Sequence, residues 1–312
     1  MNDKNTNSAH YSVLLNESIE LLNIKPDGVY IDGTFGRGGH SAHILNKLSD
    51  KGKLFAFDKD KDAITYANEH IKDTRFTIIH DSFKNLLAHL KNYNINKIDG
   101  LLLDLGMSSP QIETKQRGFS FMHDGILDMR MDTTSGVMLS EWITNASESD
   151  ISNILWQYGE EKFHKKIAHA IITKRLIKPI MTTFDLVKII EDSVPYKEKN
   201  KHVATRSFQA FRIFINHELR DLESVLLDIP DYLTTYGRVV VISFHSLEDR
   251  IVKQHFNQLA KGTTLPKWVL LKGDAAHTSY KIIAKKIKAT NKEIQQNIRS
   301  RSAILRAIEK VN

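Results

Sequence analysis

The chain has 312 residues, 41% apolar and 26% charged, with a formal net charge of +7 and no cysteine. That balance belongs to a globular protein of one large domain, or of one domain carrying an insertion. The missing thiols exclude disulfides, thiolate metal sites and cysteine nucleophiles, and they fit a soluble cytoplasmic protein.

Met1 to Ala9 are polar and lack the apolar stretch of a secretory signal. No apolar run approaches the length needed to span a bilayer, so no membrane association is expected. The 14 histidines show no spacing of the H-E-x-x-H kind, so no catalytic metal is expected. Charge is unevenly spread. Residues 161–215 hold 12 Lys/Arg against 5 Asp/Glu, residues 281–312 hold 9 against 2, and the remainder is net acidic. Two basic segments on such a body point to a polyanionic partner, although two solvated helix faces give the same count.

In chain order, Val29-Tyr30-Ile31 follows a Pro26-Asp27-Gly28 turn and reads as a short buried strand. Leu54-Phe55-Ala56-Phe57, Phe76-Thr77-Ile78-Ile79 and Leu101-Leu102-Leu103 read as three more, with helical spacing over 41–48 and 62–71 between them. Strands apolar throughout and separated by helices predict a parallel sheet covered on both faces. A fifth strand, Val239-Val240-Val241-Ile242, comes only after a long gap without strands. Within that gap Ser147 with Asp150 and Thr182 with Asp185 mark helix starts. Phe208, Phe211, Ile215, Leu219, Leu222 and Leu226 then recur at helical spacing, predicting one long helix that returns the chain to the sheet. The expected architecture is an α/β sheet formed by residues 1–112 and 209–312, interrupted by an all-helical insertion over 113–208 that recognises the substrate.

Asp32-Gly33-Thr34-Phe35-Gly36-Arg37-Gly38-Gly39-His40 lies where the first strand hands over to a helix. Its glycines permit tight turns and close approach of a ligand, as in a nucleotide-binding loop. The literal G-x-G-x-x-G is absent, because Ser41 stands in the last glycine's place. Asp58 ends the second strand, where a carboxylate accepts both hydroxyls of an adenosine ribose, and Asp104 ends the fourth, facing the same crevice. With Asp32, three acids border the expected ligand. They would repel a pyrophosphate and attract a sulfonium and an ammonium, which favours S-adenosylmethionine over a dinucleotide. Single strand-end aspartates more often only cap helices.

Asp104-Leu105-Gly106-Met107-Ser108-Ser109-Pro110-Gln111 sets a proline turn directly after a strand-end acid. With the 32–40 loop it resembles the ribosomal RNA small subunit methyltransferase H family. Further matches are 10–15 with Glu17, 117–121, 127–132, 158–161, 204–210, 243–250 and 299–303. One departure is Asn297-Ile298-Arg299, where family members commonly have Asn-Pro-Arg.

The resemblance implies a Rossmann-like class I methyltransferase sheet and N4-methylation of a cytidine in the decoding centre of 16S rRNA, within the small ribosomal subunit. It implies S-adenosylmethionine contacts at Gly38, Gly39, His40, Asp58, Phe83, Asp104 and Gln111. Asp104, Ser108, Ser109 and Pro110 are the candidate catalytic residues, aligning the target amine with the sulfonium methyl and accepting hydrogen bonds from it. Arg117, Arg130, Arg206, His245, Arg299 and Arg301 are candidate RNA contacts. Phe119, Phe121 and Phe244 are candidate platforms for an unstacked base, although buried core is the commoner role for any one of them. The competing readings are a nicotinamide oxidoreductase, a catalytically silent rRNA-binding assembly factor, and a methyltransferase acting on another nucleic acid.

Overall fold

A computed structural model describes residues 12–195, 202–261 and 278–312. The polar segment 1–9 and His10-Tyr11 of the first motif lie outside the described residues. The chain divides into a sheet unit, formed by residues up to Gly106 together with Arg220–Asn312, and a helical unit, Met107–Leu219. The helical unit therefore opens at Met107 rather than at 113 and closes at Leu219 rather than at 208.

In the sheet unit α1 (Leu15–Leu22) leads into β1 (Val29–Asp32), α2 (Gly39–Leu45), β2 (Lys53–Asp58), α3 (Lys61–His70), β3 (Phe76–His80), α4 (Leu86–Asn92) and β4 (Ile98–Asp104). All four strands are parallel, with β1 paired to both β2 and β4. The four apolar runs seen in the sequence are these strands. They are mostly apolar because the sheet is covered on both sides, and only the edge strand β3, which carries Thr77, is largely half-buried.

The helical unit holds α5 (Ser109–Glu113), α6 (Leu139–Asn145), α7 (Glu148–Gly159), α8 (His164–Arg175), α9 (Thr183–Ser193) and α10 (Thr205–Asn216). Its core is its own: Leu139, Ile151, Leu155, Ile167, Ile171, Leu186, Ile190 and Phe211 are buried together. The hydroxyls of Ser147 and Thr182 accept from the N–H groups of Asp150 and Asp185, so the two expected caps form. The expected long helix does not. It breaks at His217, which adopts φ 54° and ψ 30°, and α11 (Glu218–Asp228) starts afresh. Asn216 sets the stop. Its side chain donates to the Met129 and Arg212 carbonyls at 2.7 and 2.8 Å and accepts from the Met131 N–H at 2.6 Å. Apolar spacing carries across a single left-handed residue, so periodicity alone could not register it.

After α11 the sheet resumes with β5 (Leu233–Ser243), α12 (Ser246–Lys261), β6 (Tyr280–Ile287), α13 (Asn291–Gln296) and β7 (Ile304–Lys310). The strand order is β3-β2-β1-β4-β5-β7-β6, with β5 parallel to β4 and β7 antiparallel to both β5 and β6. This is the mixed seven-stranded sheet of a Rossmann-like class I methyltransferase fold. Alternate residues feed two cores. Ile31, Leu101, Leu103, Val239, Val241 and Ile308 meet Leu86, Leu222, Leu226, Val252 and Phe256 on one face. Tyr30, Leu102, Val240, Ile242, Leu305 and Ala307 meet Leu14, Ile19, Leu22, Ile44 and Leu48 on the other. Among the described residues no helix is long and apolar enough to cross a membrane.

The basic segment 281–312 is thus not a tail. β7 lies inside the sheet, and two of its cations are structural. Arg306 grips Asp249 through two bonds of 2.7 and 2.9 Å, and Lys310 donates to the Pro230 and Leu233 carbonyls at 3.2 Å. Leu305 is fully buried. Leu305→Ala is expected to cost about 2–5 kcal/mol of stability in urea unfolding, whereas the same change in a solvated tail stays within about 0.5 kcal/mol.

Candidate active site

Strand order reverses between β1 and β4, and in open α/β sheets ligands bind outside the carboxyl ends of the strands at that point. The 32–40 loop leaves β1 there. Gly38 adopts φ 74° with Phe35 ring atoms 2.7 Å from where a Cβ would sit, and a Cβ on Gly39 would fall 2.0 Å from Ser12 Oγ. The left-handed backbone at Gly38 favours glycine, and at Gly39 any side chain would have to displace the Ser12 hydroxyl.

Asp32, expected to border the ligand, is 1% exposed. Its carboxylate accepts from the Thr34 N–H at 3.2 Å and the Ser41 hydroxyl at 2.6 Å. It therefore shapes the loop from beneath. Ser41, the residue that breaks the glycine fingerprint, is its partner. Asp58 accepts from Gly36 N–H and Asp60 N–H, both at 2.8 Å, and so ties the loop to the end of β2. Each of its oxygens keeps a second lone pair for a hydroxyl. Phe83 opens a short 3-10 turn after β3 and is half-buried. Its Cβ lies 3.1 Å from the point where a side chain on Gly33 would begin.

Asp104 ends β4 beside them. Its N–H donates to Thr34 Oγ1 at 2.6 Å, and its Oδ2 lies 3.8 Å from Nδ1 of the buried His40, whose Nε2 is 3.2 Å from the Val13 carbonyl oxygen. Asp104 Oδ1 is buried and has no hydrogen-bond partner among the described residues. Gly38, Gly39, His40, Asp58, Phe83 and Asp104 thus gather at the carboxyl edges of β1 to β4. Thr34, Val13 and Ser12 were not anticipated, because a backbone carbonyl and two small hydroxyl residues carry no pattern of their own.

In the helical unit Ser108, Ser109 and Pro110 open α5, and the buried Gln111 accepts from the Ser108 N–H at 2.9 Å, half of a capping box. The Ser-x-x-Gln spacing announces that role in the sequence.

Residues 7–311 match the MraW methylase family. The chain belongs to that family. Two curated relatives of this chain are each named ribosomal RNA small subunit methyltransferase H. The one from Alteromonas mediterranea is 49% identical over 305 residues, 97% of each chain, and the one from a Marinomonas species is 47% identical over 309 residues, 98% of this chain and 99% of its own. A solved rRNA methylase from Streptococcus thermophilus aligns with a TM-score of 0.42 at 13% identity, covering 97% of this chain and 100% of its own. The fold assignment rests on the strand order, not on that likeness.

The site crowds three buried carboxyls whose charged forms are disfavoured. Burial, partly offset by the hydrogen bonds each receives, raises Asp32 and Asp58 to about 6. Burial also holds Asp104 well above the usual carboxylate range, with Asp32 and Glu248 adding repulsion. A bound cation stabilises all three as carboxylates.

The expected RNA contacts divide. Arg117 is 8% exposed, and its Nη2 donates to the Arg130 and Met131 carbonyls at 3.1 and 2.8 Å, so it holds a loop together. Arg130 is engaged by both oxygens of Asp128 at 2.6 and 3.0 Å. Arg206 reaches the Glu160 carbonyl at 3.4 Å, and His245 Nε2 lies 3.1 Å from Oε1 of the buried Glu248. Arg299 is half-buried and Arg301 exposed. Of the aromatics, Phe119 is core, Phe121 stacks on His202 with ring centroids 4.7 Å apart, and Phe244 is half-buried. Among the described residues no group of three His, Asp or Glu side chains is arranged to hold a metal ion.

Proposed function

We propose that this chain methylates the exocyclic N4 amine of a cytidine in the decoding centre of 16S rRNA, on the small ribosomal subunit, using S-adenosylmethionine. The observation that carries the reading is the buried, unpartnered Asp104 Oδ1 within a group of three carboxyls at the sheet's switch point. A buried polar atom without a partner calls for a ligand that supplies one.

The residues fit S-adenosylmethionine. Asp58 retains acceptor capacity for ribose hydroxyls, Phe83 offers a ring face to adenine, the glycines at 38 and 39 admit close approach, and the acids favour the two cationic groups. The bound cofactor supplies an electrophilic methyl on a sulfonium. The protein's part is placement. Asp104 accepts a hydrogen bond from the target amine, keeping its nitrogen lone pair available as charge develops. Ser108-Ser109-Pro110 is the family motif that presents the base, and Gln111 fixes that turn through its cap. The relatives' names and the match over residues 7–311 support rRNA as the substrate class. The exposed Lys162, Lys165, Lys166 and Lys174 of the helical unit are the phosphate contacts, together with Lys281, Lys285 and Lys286 on the outer strand β6.

Donor binding has a pH signature. The free site holds protons up to about 6 on Asp32 and Asp58, and a cation demands that they leave. Affinity for S-adenosylmethionine therefore rises as pH increases through about 6, and Asp104, which burial, Asp32 and Glu248 also hold above the usual carboxylate range, adds to the rise in the same direction. Calorimetric titration from about pH 5 to about pH 8 checks this, and an affinity independent of pH over that range counts against the acid cluster. Transfer of labelled methyl from the donor to small subunits lacking the modification tests the substrate class. Binding without transfer identifies the silent assembly factor instead.

A further inference from the structure

Asp221, on α11, is 1% exposed and belongs to no motif that marked the site. Its Oδ2 takes the Ser82 hydroxyl at 2.7 Å and the Lys59 ammonium at 2.5 Å, and its Oδ1 lies 3.5 Å from the Lys84 ammonium. Lys59 directly follows Asp58, and Ser82 and Lys84 flank Phe83 on either side. The Ser82 hydroxyl also accepts from the Lys84 N–H at 3.3 Å, closing the turn that presents Phe83. His80, at the end of β3, meets the Lys59 carbonyl oxygen at 3.0 Å, so the loops after β2 and β3 are already linked to each other. Asp221 ties that linked pair to α11, whose Leu222, Val225 and Leu226 are locked into the core beneath.

A buried carboxylate with ammonium partners is a poor way to gain stability, because desolvating the charges cancels most of the attraction. Such a group fixes geometry instead. Here every partner adjoins one of the two residues proposed to hold adenosine.

We infer that Asp221 is a positioning residue for donor binding, setting the ribose acceptor Asp58 and the adenine platform Phe83 at their working separation through Lys59, Ser82 and Lys84. The inference rests on the donor site proposed above.

The test is calorimetric titration of S-adenosylhomocysteine into the wild-type chain, Asp221→Asn and Ser82→Ala, with KM for the donor and kcat measured alongside. Asp221→Asn is expected to weaken S-adenosylhomocysteine binding and raise the donor KM by about tenfold or more, with kcat at saturating donor within about twofold of wild type. Ser82→Ala, which changes no charge, is expected to shift both in the same direction by a smaller factor. A variant folded to the same extent that binds S-adenosylhomocysteine within about twofold of wild type overturns the inference, as does a fall in kcat with KM unchanged. Should Asp221→Asn fail to fold, Ser82→Ala decides alone. Absence of binding by the wild-type chain removes the donor site itself and the inference with it, whereas wild-type binding with unaffected variants removes the inference only.

Discussion

Asp104→Asn is expected to lower kcat/KM for methyl transfer by about a thousandfold while leaving the folded protein at least as stable as before. The side chain keeps its shape and one acceptor oxygen but loses the charge. Two consequences follow with opposite signs. The carboxyl is held well above its ordinary range by burial and by Asp32 and Glu248, so its folded value exceeds its unfolded one. The native state then binds the proton more tightly than the unfolded chain does, and stability falls as pH rises between those two values. Above the unfolded value the buried carboxyl costs stability, whether it stays charged beside Asp32 and Glu248 or takes up a proton, and the amide removes that cost. Transfer suffers for the same reason that the fold gains, because the charge that repels its neighbours also holds the donor and draws on the target amine. Steady-state kinetics with thermal unfolding of the same samples reads both effects. Near-normal turnover contradicts the role of Asp104, and loss of activity with loss of stability makes the residue merely structural.

The second large effect is on RNA binding. With six to ten phosphate contacts, affinity falls by about a thousandfold or more between about 50 and 200 mM salt. Lys165 and Lys166 are exposed on α8. Lys165→Ala with Lys166→Ala should flatten the plot of log affinity against log salt by about two and leave stability unchanged. Arg117→Ala should do the reverse. Its guanidinium is buried against two carbonyls, so its loss destabilises the helical unit and leaves the salt slope in place. Filter binding across a salt series separates the two. A flat response in the wild-type chain, or a changed slope in Arg117→Ala, contradicts this division of the arginines.

What the sequence showed and what it hid follow from the same physics. The strands from Val29 to Asp104 were legible because a strand covered on both faces is mostly apolar along its length, and little else yields four such runs separated by helical spacing. β6 and β7 were not, because Lys281, Lys285 and Lys286 line an outer strand, and Arg306 and Lys310 have paired with Asp249 and with carbonyls. A charge count cannot tell a neutralised arginine from a free one. The strand-end positions of Asp32, Asp58 and Asp104 were legible, and their different duties were not. Those duties depend on Ser41, Gly36 and Thr34, whose hydrogen bonds exist only once the loop has folded. Arg117 and Arg130 show the same limit, since family motifs mark both and the structure gives each a partner within its own loop.

The most direct measurement incubates small subunits lacking the modification with the chain and a donor carrying an isotopically heavy methyl group, then digests the rRNA to nucleosides for mass spectrometry. The heavy methyl is expected on N4-methylcytidine from a single decoding-centre position, and absent when Asp104→Asn replaces the wild-type chain. Label on a different base or on the ribose, or full labelling by Asp104→Asn, contradicts a site in which a buried acid holds a cationic donor against a cytidine amine.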